Sequence, residues 1–232
     1  FFYQLGLTLG IDKMSSWLAS FGLGQPTGID LYDEPSGLIP SREWKQGAYG
    51  EPWYSGETVI AGIGQGYMLV TPLQLAVATA AIANRGKLVK PRLLTRFENL
   101  QTGVIVPGPE ISMTTIEFTN PTAFDEVIKG MIAVTHGARG TARTSGWGAP
   151  YQMAGKTGTS QLVAIKEDEE YAPENLPEHL RDHALFIAFA PIAKPRIALA
   201  VVVENGGSGS RVAAPIARKI LDYYFVERLR RA

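Results

Sequence analysis

Four consecutive residues, Lys156-Thr157-Gly158-Thr159, combine the side chains that suit binding of a carboxylate group. They lie in the segment 151–165, whose composition predicts a β-strand. Strand alternation places Thr157 and Thr159 on one side and Lys156 and Gly158 on the other. Hydroxyl groups donate hydrogen bonds to a carboxylate, lysine supplies positive potential, and glycine lets another backbone approach. The pattern predicts a substrate-binding strand whose exposed edge could pair with an extended peptide.

Other functions fit these residues less well. A phosphate-binding loop ending in Gly155-Lys156-Thr157 requires glycine five residues before Gly155, and Pro150 occupies that position. The run Gly62–Gly66 fails as a dinucleotide fingerprint because Tyr67 stands where the third glycine is needed, and it indicates close backbone packing instead. A buried strand with an incidental lysine would leave an ammonium group with no nearby carboxylate in the sequence, which is costly.

Two histidines have a spacing that a metal site could use. His179 and His183 are four residues apart, with Glu178 and Asp182 beside them. A zinc-protease pattern needs glutamate directly after the first histidine, and Leu180 occupies that position. We therefore expect a solvated loop position for His179, a structural hydrogen bond for His183, and no metal.

The remaining candidates have simple structural explanations. His136 precedes a glycine and is expected at a helix end, where it would interact favourably with the helix dipole. Trp44, Trp53 and Tyr54 could line a cleft or pack a long loop, and the sequence does not separate these alternatives.

Composition excludes several classes of protein. The chain has 232 residues, with 22 Lys and Arg against 22 Asp and Glu, so it lacks the basic excess of a nucleic-acid-binding protein. It has no cysteine, which excludes disulfides, Cys-ligated zinc, iron–sulfur clusters and a thiol nucleophile. No apolar run reaches the roughly 18 residues that a membrane-spanning helix needs.

Hydrophobic periodicity, capping residues, glycines and prolines predict the helices and strands that must position these residues. Thr71 is predicted as a helix N-cap, with Gln74 reaching back as a capping box, and Asn84-Arg85-Gly86 ends that buried helix. The other expected segments are a helix over 1–21 ended by Gly22, a long loop region over 22–58, strand-like segments over 87–94 and 96–106, a helix from Asn120-Pro121 to about Thr135, strands over 151–165, 184–190 and 197–204, and a helix over 212–229.

The last third predicts an antiparallel sheet backed by a helix. Pro191–Pro195 is short enough for a hairpin between the second and third strands. The excursion 166–182 is polar and acidic, as in a surface loop, and the basic end with Arg228, Arg230 and Arg231 complements a helix dipole. Helices followed by such a sheet place the chain in the α+β class.

The sequence also resembles a known family. Lys156-Thr157-Gly158-Thr159 is similar to the third motif of the penicillin-binding proteins and β-lactamases, whose other motifs are S-x-x-K and S-x-N or S-x-D. The whole chain resembles the elongation-type class B penicillin-binding proteins, the penicillin-binding protein 2 group. The matching blocks are Phe1–Gly6, Phe21-Gly22-Leu23-Gly24, Thr27-Gly28-Ile29-Asp30, Gly62–Gly66, Thr71-Pro72-Leu73-Gln74, Gly140-Thr141-Ala142, Arg181-Asp182-His183 and Phe189-Ala190-Pro191.

The resemblance implies a fold and a reaction. The fold is that of the penicilloyl-serine transferases, with residues 1–232 as the C-terminal portion of one transpeptidase domain: helices and loops to about 150, then sheet strands and a terminal helix. The reaction is peptidoglycan D,D-transpeptidation, in which a serine attacks the D-Ala-D-Ala bond of a stem peptide and an amino group of a neighbouring stem takes the acyl group. β-Lactams acylate the same serine, which implies a connection with antibiotic resistance. Cross-linking during cell elongation implies a role in cell shape.

The resemblance also assigns roles to the four residues. Lys156 would be catalytic, supplying positive charge and helping the proton relay. Thr157, Gly158 and Thr159 would bind the substrate, with the two hydroxyls on its carboxylate. The Thr159 N–H would also be catalytic, as one oxyanion-hole donor.

The sequence departs from the family pattern in one respect. No serine or threonine is followed by lysine three residues later, and S-x-N and S-x-D are also absent. In the family the second motif lies just before a segment like Phe1-Phe2-Tyr3. We therefore expect the nucleophile serine, its lysine and the second-motif serine to precede this chain, and this segment alone to be inactive.

The resemblance carries further expectations. The partners are peptidoglycan stem peptides, β-lactams bound to a serine outside this chain, and the cell-elongation machinery with its glycan polymerase. No cofactor is required for catalysis, and a structural metal upstream stays an open alternative. The location is the periplasmic face of the inner membrane, on an anchor outside this chain. The alternatives are a non-catalytic peptidoglycan or β-lactam sensor of the same fold, and a β-lactamase or D,D-carboxypeptidase.

Overall fold

The computed structural model describes residues 1–120, 122–162 and 176–228. The chain divides into two compact units. Unit 1 consists of Phe1–Ala81 and Gly86–Glu117, and unit 2 of Ile82–Arg85 and the chain from Phe118 onward. Among the described residues, no helix has the length and apolar character needed to cross a bilayer.

Unit 1 is built mainly from helices: α1 (Phe2–Ser20), α2 (Arg42–Tyr49), α3 (Ser55–Ala61) and most of α4 (Pro72–Ala83). The start of α1 lies very close to the end of α3, since a Cβ placed on Gly6 would lie 3.2 Å from the Gly62 Cα. This contact confirms for Gly62 the prediction of close backbone packing.

The predicted loop region over 22–58 contains two helices, α2 and α3, so that prediction was wrong in part. Ser41 caps α2 by accepting a hydrogen bond from the Trp44 N–H at 3.1 Å. Glu57 closes the first turn of α3 by accepting from the Tyr54 N–H at 2.8 Å. Both helices are short, with eight and seven residues, so each lies below the window over which periodicity identifies a helix.

The prediction for α4 is confirmed at its first turn. The Thr71 N–H donates to Gln74 Oε1 at 2.9 Å, and the Gln74 N–H donates to Thr71 Oγ1 at 3.1 Å, which is a capping box. The helix ends at Ala83, and Arg85 and Gly86 follow with positive φ angles of 52° and 91°.

Four short strands complete unit 1: β1 (Lys87–Val89), β2 (Arg96–Glu98), β3 (Ile105–Pro107) and β4 (Met113–Thr115). In the segment expected to be strand-like over 96–106, β2 and β3 pair antiparallel, and Asn99 Oδ1 accepts from the Gln101 and Thr102 N–H groups in the turn between them. The strands are shorter than expected, and β1 pairs antiparallel with β4, which the sequence did not predict.

Unit 2 contains an antiparallel three-stranded sheet in the order β5-β6-β7, with β5 at Ala154–Ser160, β6 at His183–Ala190 and β7 at Ile197–Val203. The other elements are α5 (Ala123–His136), α6 (Arg143–Gly146) and α7 (Ala214–Asp222), the last flanked by π-helical turns at Gly209–Ala213 and Tyr223–Arg228. Helix α7 packs on the sheet through a core that includes Phe186, Ala188, Ala217 and Leu221.

The α+β class, the β6–β7 hairpin and the terminal helix are therefore confirmed. The predicted strand residues 163–165, most of the excursion 166–182, Pro121, and the terminal residues Leu229, Arg230 and Arg231 lie outside the described residues. Arg228 ends the last π-helical turn, with its guanidinium 5.6 Å from the centre of the Tyr224 ring.

The division by element type expected near residue 150 differs from the division into compact units. The units divide between Glu117 and Phe118, and within unit 2 α5 packs against β5. Ile128 and Met131 of α5 share a core cluster with Ala154 and Phe189 of the sheet.

Candidate active site

The residues Lys156–Thr159 lie in the middle of β5, at one edge of the sheet. Strand β5 pairs antiparallel with β6, and Lys156 stands opposite Ile187. Within the described residues no strand pairs with the other edge of β5. Among the described residues this edge therefore has no strand partner, and its pairing with an extended peptide stays a prediction.

Lys156 is exposed, so the alternative of an incidental lysine in a buried strand does not hold. Its Nζ donates to the Thr157 carbonyl oxygen at 2.6 Å and lies 3.5 Å from Thr157 Oγ1. Within the described residues no carboxylate forms an ion pair with Lys156. Partial burial lowers the pKa of the Lys156 ammonium, since desolvation disfavours its charged form. A carboxylate ligand would supply the missing counter-charge.

A second threonine stands beside this strand. Thr141 Oγ1 lies 3.3 Å from Thr157 Oγ1, and either oxygen can be the donor. Sequence reasoning named Thr141 only within a matching block and assigned it no role. No local pattern connects two residues that are 16 positions apart and lie on different elements.

The end of α5 holds the start of β5 in place. Thr135 Oγ1, fully buried, donates to the Met153 carbonyl oxygen at 2.7 Å. The Met153 N–H donates to His136 Nε2 at 3.2 Å. His136 lies in the last turn of α5, at the predicted helix end.

Two glycines allow close packing around the strand. A Cβ on Gly155 would lie 2.5 Å from Phe186 Cζ, inside the buried core. A Cβ on Gly209 would lie 2.3 Å from the Gly158 oxygen and 2.4 Å from the Leu185 oxygen. The backbone at Gly209 therefore packs directly against the sheet at Gly158, which fixes the strand from inside the fold.

His179 and His183 lie on different elements. His183 Nδ1 accepts from the Asn205 N–H at 2.9 Å, so its structural hydrogen bond is confirmed. His179 lies in a 3₁₀ turn at Glu178–Leu180, whereas His183 begins β6, so the two do not share a helical face. In the part of the chain that the structure describes, no three His, Cys, Asp or Glu side chains group as metal ligands would.

Of the three aromatic residues that the sequence singled out, Trp44 and Trp53 pack within unit 1, whereas Tyr54 is 53% exposed. Trp53 is buried, and its Nε1–H donates to Thr58 Oγ1 at 2.8 Å. The Trp44 ring lies 5.1 Å from that of Tyr67, and the Tyr54 ring lies 4.7 Å from Lys45 Nζ.

Comparison with known proteins adds three findings. Residues 1–222 match the family described as penicillin-binding protein transpeptidase domain. Peptidoglycan D,D-transpeptidase MrdA of Haemophilus influenzae is 42% identical over 231 residues, covering 99% of this chain and 35% of that protein. The chain thus spans about a third of the length of the curated relatives it matches.

Two solved structures are similar in fold and sequence. Pseudomonas aeruginosa PBP2 in complex with WCK 5153 has a TM-score of 0.81 and 43% identity, over 98% of this chain and 45% of that one. PBP2 from Helicobacter pylori, in its complex with MreC, has a TM-score of 0.79 and 30% identity, over 96% of this chain and 37% of that one.

Proposed function

Since this chain belongs to the penicillin-binding protein transpeptidase family, we propose that it is part of a serine-type peptidoglycan D,D-transpeptidase of the elongation type. The names of the relatives do not favour a sensor or a hydrolase, the alternatives left open by the sequence. The reaction is acyl transfer: a serine oxygen bonds to the carbonyl carbon of the D-Ala-D-Ala bond, and the terminal D-Ala leaves. The amino group of a second stem peptide then displaces the serine.

One observation carries this proposal. An exposed lysine without a described ion-pair partner lies on a sheet edge that no described strand covers, next to two threonines. This edge can receive an extended peptide by strand addition. Lys156 and the hydroxyl of Thr157 can receive the terminal carboxylate that a stem peptide or a β-lactam presents. Charge-assisted hydrogen bonds of this kind are stronger than neutral ones.

The roles of the four residues follow from their chemistry. Lys156 supplies positive charge to the carboxylate and helps the proton relay, and its lowered pKa makes proton transfer easier than for an ordinary lysine. Thr157 and Thr159 donate hydroxyl hydrogen bonds to the carboxylate. The Thr159 N–H is one oxyanion-hole donor, an interaction whose removal costs roughly 3–4 kcal/mol of transition-state stabilisation. Gly158 has no side chain that would obstruct an approaching peptide backbone.

The nucleophile belongs to a part of the protein beyond these residues. In this sequence no serine or threonine has a lysine three positions later. The proposal therefore concerns a longer protein, in which the serine, its lysine and the second-motif serine complete the site. It needs no cofactor.

Partners and location follow from the proposed reaction. The substrates are peptidoglycan stem peptides, and β-lactams are covalent inhibitors. The relative whose structure was solved in complex with MreC supports an assembly with the cell-elongation machinery. A second relative, solved in a peptidoglycan synthase complex that coordinates polymerization and crosslinking, supports a glycan polymerase as a partner. Because its substrate is the cell wall, the protein acts outside the cytoplasm, at the periplasmic face of the inner membrane.

The test is acylation of the longer protein by a fluorescent penicillin, followed by mass spectrometry of its peptides. We expect one labelled serine, located outside residues 1–232 and followed by lysine three positions later. Heat-denatured protein serves as the control for non-specific labelling. A label within residues 1–232, or no label on the folded protein, would contradict the proposal.

A further inference from the structure

We propose that Thr141 is a positioning residue that orients the Thr157 hydroxyl toward a substrate carboxylate. The inference rests on the proposed function and adds a residue to which the sequence assigned no role. The observation behind it is the separation of 3.3 Å between Thr141 Oγ1 and Thr157 Oγ1.

The hydrogen-bonding capacity of Thr157 explains how this contact orients its hydroxyl. A threonine hydroxyl has one donor hydrogen and two acceptor lone pairs. Lys156 Nζ, which only donates as an ammonium, lies 3.5 Å from Thr157 Oγ1. When Lys156 and Thr141 both donate to Thr157 Oγ1, its two lone pairs are occupied, and its own hydrogen is left for a bound carboxylate.

Thr141 thereby acts on the carboxylate through Thr157. Hydrogen bonds arranged in a chain polarise one another, so a hydroxyl that accepts from Thr141 is a better donor. Without Thr141, the Thr157 hydroxyl can rotate, and its hydrogen has no fixed direction. The expected loss is in binding of the carboxylate rather than in the bond-making step.

The backbone holds Thr141 firmly in this position. The Ala142 N–H donates to the Val134 carbonyl oxygen at 3.0 Å, and the Ala142 side chain is fully buried. A Cβ on Gly140 would lie 2.4 Å from both the Ala133 and Val134 oxygens, so the turn before Thr141 is packed against the end of α5. The same helix end holds Met153 at the start of β5, so one element positions both hydroxyls.

The experiment compares the longer protein with its Thr141→Val variant, which keeps the side-chain shape and removes the hydroxyl. Benzylpenicillin and its methyl ester are the two probes, because the ester has no free carboxylate. Stopped-flow acylation separates the dissociation constant of the non-covalent complex from the acylation rate constant. We expect Thr141→Val to raise the dissociation constant for the acid about fivefold, the loss of one hydrogen bond. The acylation rate constant, and both constants for the ester, should stay at wild-type values.

Three further variants separate positioning from a structural role. Thr141→Ser keeps the hydroxyl and should restore wild-type binding. Thr141→Val combined with Thr157→Val should bind the acid no more weakly than Thr157→Val alone, because Thr141 acts through Thr157. Thr144→Val, an exposed change three residues away, is the matched control and should have no effect. Thr141→Ala removes the hydroxyl with less bulk and carries the same expectation if valine disturbs folding.

Different results would contradict the role of Thr141 and the proposed function. If the wild-type protein is acylated but the Thr141 variants without a hydroxyl bind the acid as wild type does, the positioning role is wrong. It is also wrong if acid and ester are weakened equally, or if the double variant shows additive losses. If the folded wild-type protein is not acylated at all, the proposed function fails, and the role of Thr141 fails with it.

Discussion

The two compact units hold their backbones in different ways. In unit 1, buried polar side chains fix the loops. Gln74 is fully buried, and its Nε2 donates to the Gln25 and Ser36 carbonyl oxygens, each at 2.7 Å. Lys45, also buried, forms an ion pair with Glu57. These interactions tie segments far apart in sequence without a large sheet.

Carboxylate side chains also fix loops of unit 1 through hydrogen bonds. Asp30 accepts hydrogen bonds from the Leu93 and Leu94 N–H groups, which lower its pKa. Burial alone would raise the pKa of Glu34, but hydrogen bonds from Thr27 and Gly28 outweigh it and lower the pKa. For Glu57, burial is likewise outweighed by hydrogen bonds from Lys45 and the Tyr54 N–H, so its pKa is lowered.

Unit 2 relies on apolar packing of its sheet. Phe186 and Phe189 of β6 and Leu221 of α7 are fully buried. Its polar contacts include Arg218, which donates from Nη1 to the Ser145 and Trp147 oxygens at 2.9 Å. Lys156 lies exposed at the edge of this sheet.

The difference shows that equally recognisable sequence blocks can have different roles. The blocks Thr27–Asp30 and Thr71–Gln74 in unit 1 are explained by loop hydrogen bonds. The block Lys156–Thr159 in unit 2 has an exposed lysine and a strand edge that no described strand pairs with, and loop stability requires neither. The predictions below test this contrast.

The largest expected effect is on the apolar core of unit 2. Phe186→Ala removes a fully buried ring and should lower the free energy of unfolding by about 3–5 kcal/mol. Urea denaturation of the longer protein measures this loss, and hydrogen exchange locates it in β5–β7. Phe97→Ala, at a site 56% exposed in β2, is the matched control and should change stability by under about 0.5 kcal/mol. Equal losses in both variants would contradict the contrast.

A smaller loss is expected for the polar network of unit 1. Gln74→Met keeps the size of the side chain but leaves the Gln25 and Ser36 oxygens without their donor, which should cost about 2–3 kcal/mol. The same denaturation assay applies. Gln46→Met, on the exposed side of α2, is the control. If Gln74→Met is as stable as the control, the network does not stabilise the unit.

Acid should affect unit 1 first. A carboxyl group whose pKa is lower in the folded state than in the unfolded state stabilises the fold. This contribution is complete above the pKa of the unfolded state and is lost as the pH falls through the pKa of the folded state. For Asp30, Glu34 and Glu57 the loss should begin below about pH 4. Hydrogen exchange between pH 7 and 3 should show early loss of protection at the backbone amides that donate hydrogen bonds to the Asp30 and Glu34 carboxylates. Earlier loss in β5–β7 would contradict this expectation.

The smallest effect on stability is expected at the candidate site itself. Lys156 is exposed and has no ion-pair partner among the described residues, so Lys156→Ala should change the free energy of unfolding by under about 0.5 kcal/mol. Thermal unfolding of the longer protein checks this. A large destabilisation would mean that Lys156 is held in the fold for structural reasons.

Local signals in the sequence predicted local structure well. The capping box of α4 was read from Thr71 and Gln74 alone, because both partners lie in one turn. The second role of Gln74 was not predictable, since its contact with the Gln25 oxygen joins residues 49 positions apart. Helix α2 was missed because it has only eight residues, which is shorter than the window over which periodicity identifies a helix.

The candidate site was predictable only in part. The strand of Lys156–Thr159 followed from residue type, and its position at a sheet edge agrees with that prediction. The catalytic and substrate-binding roles of these residues stay predictions. Thr141 had no signal of its own, because its approach to Thr157 depends on how α5 ends and how the next turn is packed.

The central claim is that the edge strand around Lys156 serves acyl transfer rather than folding. The most direct measurement is penicillin acylation of the longer protein carrying Lys156→Ala. Lys129→Ala, an exposed lysine on α5 paired with Glu126, serves as the control. We predict a fall in acylation rate of about a hundredfold or more for Lys156→Ala, the size typical of a lost proton-transfer group, with folding retained. Acylation of Lys156→Ala at the wild-type rate would contradict the account.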